Sequence, residues 1–171
     1  HQTGQYGLYG KGNSTIPQNL YQDSIDIPLI IYGPERLVAA GQVRNEFVNL
    51  YDLFPTLTEL AGASIDLADY DGPGKSLLPL LRGERLTSFR DFQHAELGNA
   101  RMVHNGRWKL VRYYQKNQDD PPRDFWYDLN HPLGERFSVP PPSESQQVQL
   151  TDAMDSFFER YETAEHSGRR I

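Results

Sequence analysis

Six residues, Ile27-Pro28-Leu29-Ile30-Ile31-Tyr32, set the tightest limit on what this chain can become. A run this apolar reads as a short strand buried on both faces, as in a parallel sheet, with Pro28 at its start. Gly33-Pro34 then stops it. Such a strand needs neighbours on both sides and cover on both faces. The sequence nearby offers one further short strand, Phe47–Tyr51, and one helix. Ahead of the run stand four glycines, Gly4, Gly7, Gly10 and Gly12, around a single cation, Lys11. Glycines at that density let the backbone take positive φ and come close to a ligand. The chain therefore opens on a loop that presents one lysine and passes straight into a sheet. Together with a first residue that is His1 rather than Met, this leads us to expect a piece of something longer.

The rest of the chain changes grammar near residue 90. Gln18–Ser24 can form a short helical turn. Asp52 is placed to cap a helix with Pro55 in its first turn, Leu53, Leu57, Leu60 and Ala61 recur at helical spacing, and Gly62 ends it. Residues 63–91 are rich in loop signals. There Asp66, Asp69 and Asp71 before Gly72-Pro73-Gly74 have the wrong spacing for a calcium loop and read as an acidic turn. Arg101–His104 and Arg107–Tyr114 flank Asn105-Gly106, a strong hairpin signal, and Phe125–Leu129 supplies a third strand. Pro140-Pro141-Pro142 is a stiff connector. Ser143 and Gln146 form a capping-box pattern ahead of a helix whose Val148, Leu150, Met154, Phe157, Phe158 and Tyr161 make one apolar stripe against the sheet. The tail after Thr163 is expected to fray.

Composition narrows the function. With 171 residues the chain can bury a core, and ten Tyr and eight Phe enlarge it. A net charge of −6 with scattered cations argues against a nucleic-acid partner. The nearest approach to a basic cluster, Arg107, Lys109 and Arg112, reads as a solvated strand face. No cysteine is present, which excludes disulfides, thiolate metal sites and a cysteine nucleophile within the chain. No apolar run approaches a membrane span, so no membrane partner is expected.

Several motifs in order carry a resemblance. Gly4-Gln5-Tyr6-Gly7-Leu8-Tyr9-Gly10-Lys11, then Leu20-Tyr21, Ile27–Ile31 and Gly33-Pro34, resemble the C-terminal part of sulfatases, members of the alkaline-phosphatase-like hydrolases. Asp52–Leu57 with Leu60-Ala61-Gly62, then Gly74-Lys75-Ser76-Leu77-Leu78-Pro79-Leu80-Leu81-Arg82-Gly83, match two further segments of that family. Arg107–Val111, and Trp126-Tyr127-Asp128-Leu129 with Gly134-Glu135, match two more. The resemblance implies an α/β fold of which residues 1–90 are the C-terminal end of the core. Residues 91–171 would then form a small antiparallel sheet packed on a helix. It also implies a parent enzyme that hydrolyses sulfate esters, plausibly of carbohydrates, with a formylglycine nucleophile and calcium. It points to a secreted or periplasmic location.

The motifs that supply the nucleophile and the metal ligands in the family are absent here, so the chain alone is expected to bind no calcium and to be inactive. The N-terminal part of the same protein is the partner implied. By its position in the motif, Lys11 is expected to contact the sulfate as a catalytic residue. His94, where the two halves meet, is the candidate substrate-binding residue, with a hydrogen-bonded structural histidine as the alternative. His1 lacks the partner aspartate of a metal site, His104 beside the hairpin turn is expected to be exposed, and His131 is a turn residue. Two other readings stay open. One is a non-catalytic glycan-binding or assembly module using Tyr113, Tyr114, Phe125 and Trp126. The other is a phosphonate or phosphodiester hydrolase of the same superfamily.

Overall fold

A computed structural model describes residues 2–11, 15, 18–63, 70–115 and 119–162. His1, Asp66, Asp69 and the tail after Thr163 lie outside the described residues. In chain order the elements are β1 (Gln2–Thr3), β2 (Tyr9–Gly10), α1 (Gln22–Ile25), α2 (Leu53–Leu60) and α3 (Leu78–Leu81). They continue with β3 (Gln93–Leu97), β4 (Ala100–His104), β5 (Trp108–Tyr113), β6 (Arg123–Asp128) and α4 (Glu144–Tyr161). The chain forms two compact units, His1–Pro28 with Phe92–Ile171, and Leu29–Asp91.

The first unit is built on a four-stranded antiparallel sheet in the order β3-β4-β5-β6. Its registers run from Gln93↔His104 to Leu97↔Ala100, from Ala100↔Tyr113 to His104↔Lys109, and from Trp108↔Asp128 to Tyr113↔Arg123. The first two hairpins close through two-residue loops, Gly98-Asn99 and Gly106-Arg107, with Gly98 at φ 58° and Gly106 at φ 93°. Positive φ at the first loop position is the type II′ geometry, whose twist matches that of the strands. The expected Asn105-Gly106 loop is thus displaced by one residue. Asn105 pairs across the turn, donating its N–H to Trp108 O (3.2 Å), and its Oδ1 accepts from the Arg107 and Trp108 amides (3.1 and 2.9 Å). A side chain that can satisfy two turn amides is better used beside the turn than within it.

Both faces of this sheet are covered. Val103, Leu110 and Trp126 meet Leu150, Met154 and Phe158 of α4. Those three helix residues are four apart and therefore share one stripe. Leu150 and Met154 are fully buried, each worth roughly 1.5–3 kcal/mol of transfer energy. On the opposite face Ala100, Met102, Val111 and Tyr127 pack around Leu20 of the N-terminal segment. The expected antiparallel sheet, its covering helix and the aromatic stripe are therefore present. Val148 is an exception in the stripe, exposed at 53%. The Ser143–Gln146 pattern does not close as a capping box. The Ser143 hydroxyl donates to Gln146 Oε1 (3.2 Å), while the Gln146 amide donates to Ser143 O (2.9 Å).

In the second unit Leu77, Leu80 and Phe89 form a core with Ile31, Val48, Leu53 and Leu81. Asp52 is wholly buried at the start of α2 but caps a different turn from the one expected. Its Oδ2 accepts from the Asn49 amide (2.7 Å), closing the short 3-10 turn Leu50–Asp52, and its Oδ1 from the Lys75 amide (2.8 Å). Arg90 grips both oxygens, at 2.7 and 2.8 Å. Thr56 joins the same two segments, donating to Asp52 O (2.5 Å) and accepting from the Leu77 amide (2.8 Å). Gly62 ends α2 with φ 62°, as expected.

The strands expected at Ile27–Tyr32 and Phe47–Tyr51 are not formed among the described residues. Ile27, Leu29, Ile30 and Tyr32 are 57%, 42%, 89% and 98% exposed. A strand needs the N–H and C=O groups of a neighbour, and no described segment offers them to this run.

Candidate active site

The Lys11 loop is shaped by its glycines and by what lies beneath it. Gln2↔Gly10 and Thr3↔Tyr9 pair antiparallel, bringing the chain back on itself within nine residues. The Gly4 amide donates to Leu8 O (2.9 Å) and the Gly7 amide to Gly4 O (3.2 Å). Gly4, Gly7 and Gly10 take φ values of 115°, 74° and 92°, a region that only glycine enters without strain. Tyr6, at φ 53°, carries such strain, which costs about 1–3 kcal/mol. Its ring is stacked on Tyr21 at 4.5 Å between centroids. Burial, then the Glu135 carboxylate, pushes its hydroxyl pKa up. Lys11 follows directly on this frame, and its side chain is exposed.

Beneath the loop a line of buried polar groups holds the segment that follows. Gln2, 2% exposed, donates through Nε2 to Ser24 Oγ (3.0 Å). Ser24 Oγ donates in turn to Asn19 Oδ1 (2.9 Å). Leu20 O receives the Lys109 ammonium, which also donates to Gln22 Oε1 (3.1 Å) and lies 2.6 Å from Glu135 Oε1. Glu135 Oε2 accepts from the Gln22 amide (2.6 Å), and Tyr113 donates its hydroxyl to Gln18 O (2.8 Å). Burial lowers the Lys109 pKa, and the Glu135 carboxylate opposes that pull. Residues 18–22 are thus pinned to β5 by one ammonium and one phenol.

Lys109 corrects the reading of Arg107, Lys109 and Arg112 as a solvated strand face, because its side chain is completely buried. Arg112 pairs with Asp124 and Asp155, and only Arg107 of the three is mainly exposed. The alternation Trp108-Lys109-Leu110 sends Lys109 to the face opposite α4, where Leu20 sits. Sequence periodicity could have placed it on that face, but not supplied Glu135, 26 residues further on, as its partner.

His94 lies on the other side of the sheet. It pairs with Val103, on the face covered by α4, with its ring stacked on Phe157 at 4.1 Å and 2° and Nε2 donating to Ala153 O (3.1 Å). The sheet therefore does not bring His94 and Lys11 together. His104, expected to be exposed, is 5% exposed. Its Nδ1 accepts from the Gly106 amide (3.1 Å). Burial, then the Lys109 and His94 charges, pushes the imidazole down to about 4. His131 is exposed in a turn, its Nδ1 accepting from the Leu133 amide (3.2 Å). Of the aromatics considered for sugar stacking, Trp126 is core and Tyr113 is tied to Gln18, while Phe125 is 37% exposed. Among the described residues there is no group of three or more acidic, histidine or cysteine side chains that could hold a metal ion. No described helix is long and apolar enough to cross a membrane.

A family model described as "N-sulphoglucosamine sulphohydrolase, C-terminal" matches residues 4–156. The chain belongs to this family. Among curated proteins it is 29% identical over 185 residues to the steryl-sulfatase of Mus musculus, covering 90% of this chain and 28% of that protein. It is 34% identical over 111 residues to the choline-sulfatase of Rhizobium meliloti (strain 1021), covering 63% and 20%. The chain thus spans less than a third of the length of these sulfatases. Two solved structures share its fold. One is BT4656 in complex with D-glucosamine-2-N,6-O-disulfate, at TM-score 0.51 and 18% identity, covering 67% of this chain and 24% of that one. The other is a phosphonate monoester hydrolase from Silicibacter pomeroyi, at TM-score 0.50 and 20% identity, covering 70% and 29%. The fold is accordingly that of the C-terminal portion of alkaline-phosphatase-like sulfatases, with a small antiparallel subdomain packed on a helix.

Proposed function

We propose that this chain is the C-terminal part of a sulfatase that hydrolyses sulfate esters of carbohydrates, and that Lys11 is its contribution to the reacting centre. The observation that carries the reading is a family match from Gly4 to Ser156, which includes a loop whose three positive-φ glycines lead into an exposed lysine. A sulfate ester carries negative charge, and more of it gathers on the bridging oxygen as the bond to sulfur breaks. A fixed ammonium at that place stabilises the transition state more than the ground state. The formylglycine nucleophile and the calcium implied by the family would come from residues outside this chain, in an N-terminal part of the same protein. The 171 residues alone would then show no turnover, and the family suggests a secreted or periplasmic setting. The structural neighbour bound to a disulfated glucosamine supports a sulfated sugar as the ligand.

The test compares the whole protein with the 171-residue chain on 4-nitrophenyl sulfate and on glucosamine 6-sulfate. Turnover is expected only from the whole protein, with kcat/KM falling about 10²-fold or more for Lys11→Ala. Activity from the short chain, or an undiminished Lys11→Ala enzyme, sinks the proposal. Preferential turnover of a phosphonate monoester moves the chain to the neighbouring reaction class.

A further inference from the structure

Tyr9 stands two residues before Lys11 and is 83% exposed. Single exposed aromatics are common and need no explanation. What distinguishes this one is its floor and its neighbour. A Cβ built on Gly4 would lie 3.1 Å from the Tyr9 hydroxyl oxygen and 3.4 Å from Cζ, so the tip of the phenol lies over bare glycine backbone. Its Cα is held opposite Thr3 in the β1–β2 pair, and its ring stacks on no other aromatic among the described residues. Lys11 is separated from it by Gly10 alone, and two residues span at most about 7 Å. An exposed aromatic ring and an exposed lysine are therefore carried within two residues of each other, on a loop shaped by glycines.

We infer that Tyr9 is a stacking platform for the pyranose ring of the sugar whose sulfate Lys11 holds. The inference rests on the reading of Lys11 given above and adds the residue that holds the sugar ring. A pyranose presents a face of C–H groups to an aromatic ring while its hydroxyls stay in water, which suits a single exposed tyrosine with an apolar body and a polar tip. Tyr9 is thus a specificity residue, holding the carrier of the sulfate.

The experiment uses the whole protein that carries this chain, with Tyr9→Ala, Tyr9→Phe and Lys11→Ala, each shown by its melting midpoint to fold like the parent. For Tyr9→Ala the KM for glucosamine 6-sulfate is expected to rise about tenfold, as for a truncated aromatic anchor, while inhibition by inorganic sulfate changes less than about twofold. Tyr9→Phe restores the sugar KM, and Lys11→Ala weakens sugar sulfate and inorganic sulfate alike. If Tyr9→Ala leaves the sugar KM alone, or weakens sugar and inorganic sulfate equally, the platform is refuted while Lys11 stands. Tighter, Tyr9-dependent use of a steroid sulfate refutes the ring class. If Lys11→Ala weakens neither ligand, the underlying reading falls, and this inference with it.

Discussion

The Lys109 ammonium and the Glu135 carboxylate, 0% and 2% exposed at the side chain, lie 2.6 Å apart against residues 20–22. A buried pair of this kind contributes little net stability, because desolvation offsets most of the attraction. Its effect is positional, since each partner also holds a backbone group of residues 20–22.

Breaking the pair should therefore cost far more than replacing it. Glu135→Gln and Lys109→Met are each expected to destabilise by about 3–5 kcal/mol, because each leaves a buried group unmatched. The joint replacement Lys109→Met/Glu135→Leu should lose clearly less than the sum of the two. Urea unfolding midpoints measure this, and strict additivity would show that the two residues act separately.

Asp52 serves the second unit in the same way, with Arg90 on both oxygens and two amides beside it. Asp52→Ala should cost about 3–5 kcal/mol, read as faster amide exchange within residues 29–91. Unchanged exchange there would mean that Arg90 finds another partner.

The His104 imidazole, held near 4 against an ordinary value near 6.5, links stability to pH. The unfolded chain takes up a proton on falling through 6.5, while the folded chain resists until about 4. Stability is therefore complete above about 6.5 and declines as the pH falls toward 4, by at most about 3 kcal/mol. Titrating the unfolding free energy of the parent against His104→Gln should show a flatter slope in the variant across that window.

Glycines separate by what they face. An added Cβ at Gly74 would sit 2.3 Å from the carbonyl oxygen of Tyr51, whereas at Gly41 it would meet nothing within 4 Å. Gly74→Ala should cost at least about 2 kcal/mol through this clash, and Gly41→Ala about 1 kcal/mol through its φ of 72° alone. Thermal midpoints that rank them the other way contradict the packing described.

Local rules make the β4–β5 hairpin, α2 and α4 legible in the sequence, because each depends on spacing within a few residues. The strand Gln93–Leu97 is not legible, since Gln-His-Ala-Glu-Leu lacks β-branched residues and owes its pairing to β4. The opposite holds at Ile27–Tyr32, where strong strand character meets no partner among the described residues. In the candidate site Lys11 and its glycines are readable from the motif. The buried roles of Lys109 and His104 are not, because each depends on contacts with distant parts of the chain: Glu135 and Leu20 for the one, the covering of a whole sheet face for the other.

That dependence has a temporal side. The carbonyl of Leu20 is gripped from position 109, and the amide of Gln22 from position 135. While the chain is being translated, residues 20–22 leave the ribosome long before their anchors are made, and they can be pinned in place only after Glu135 has emerged.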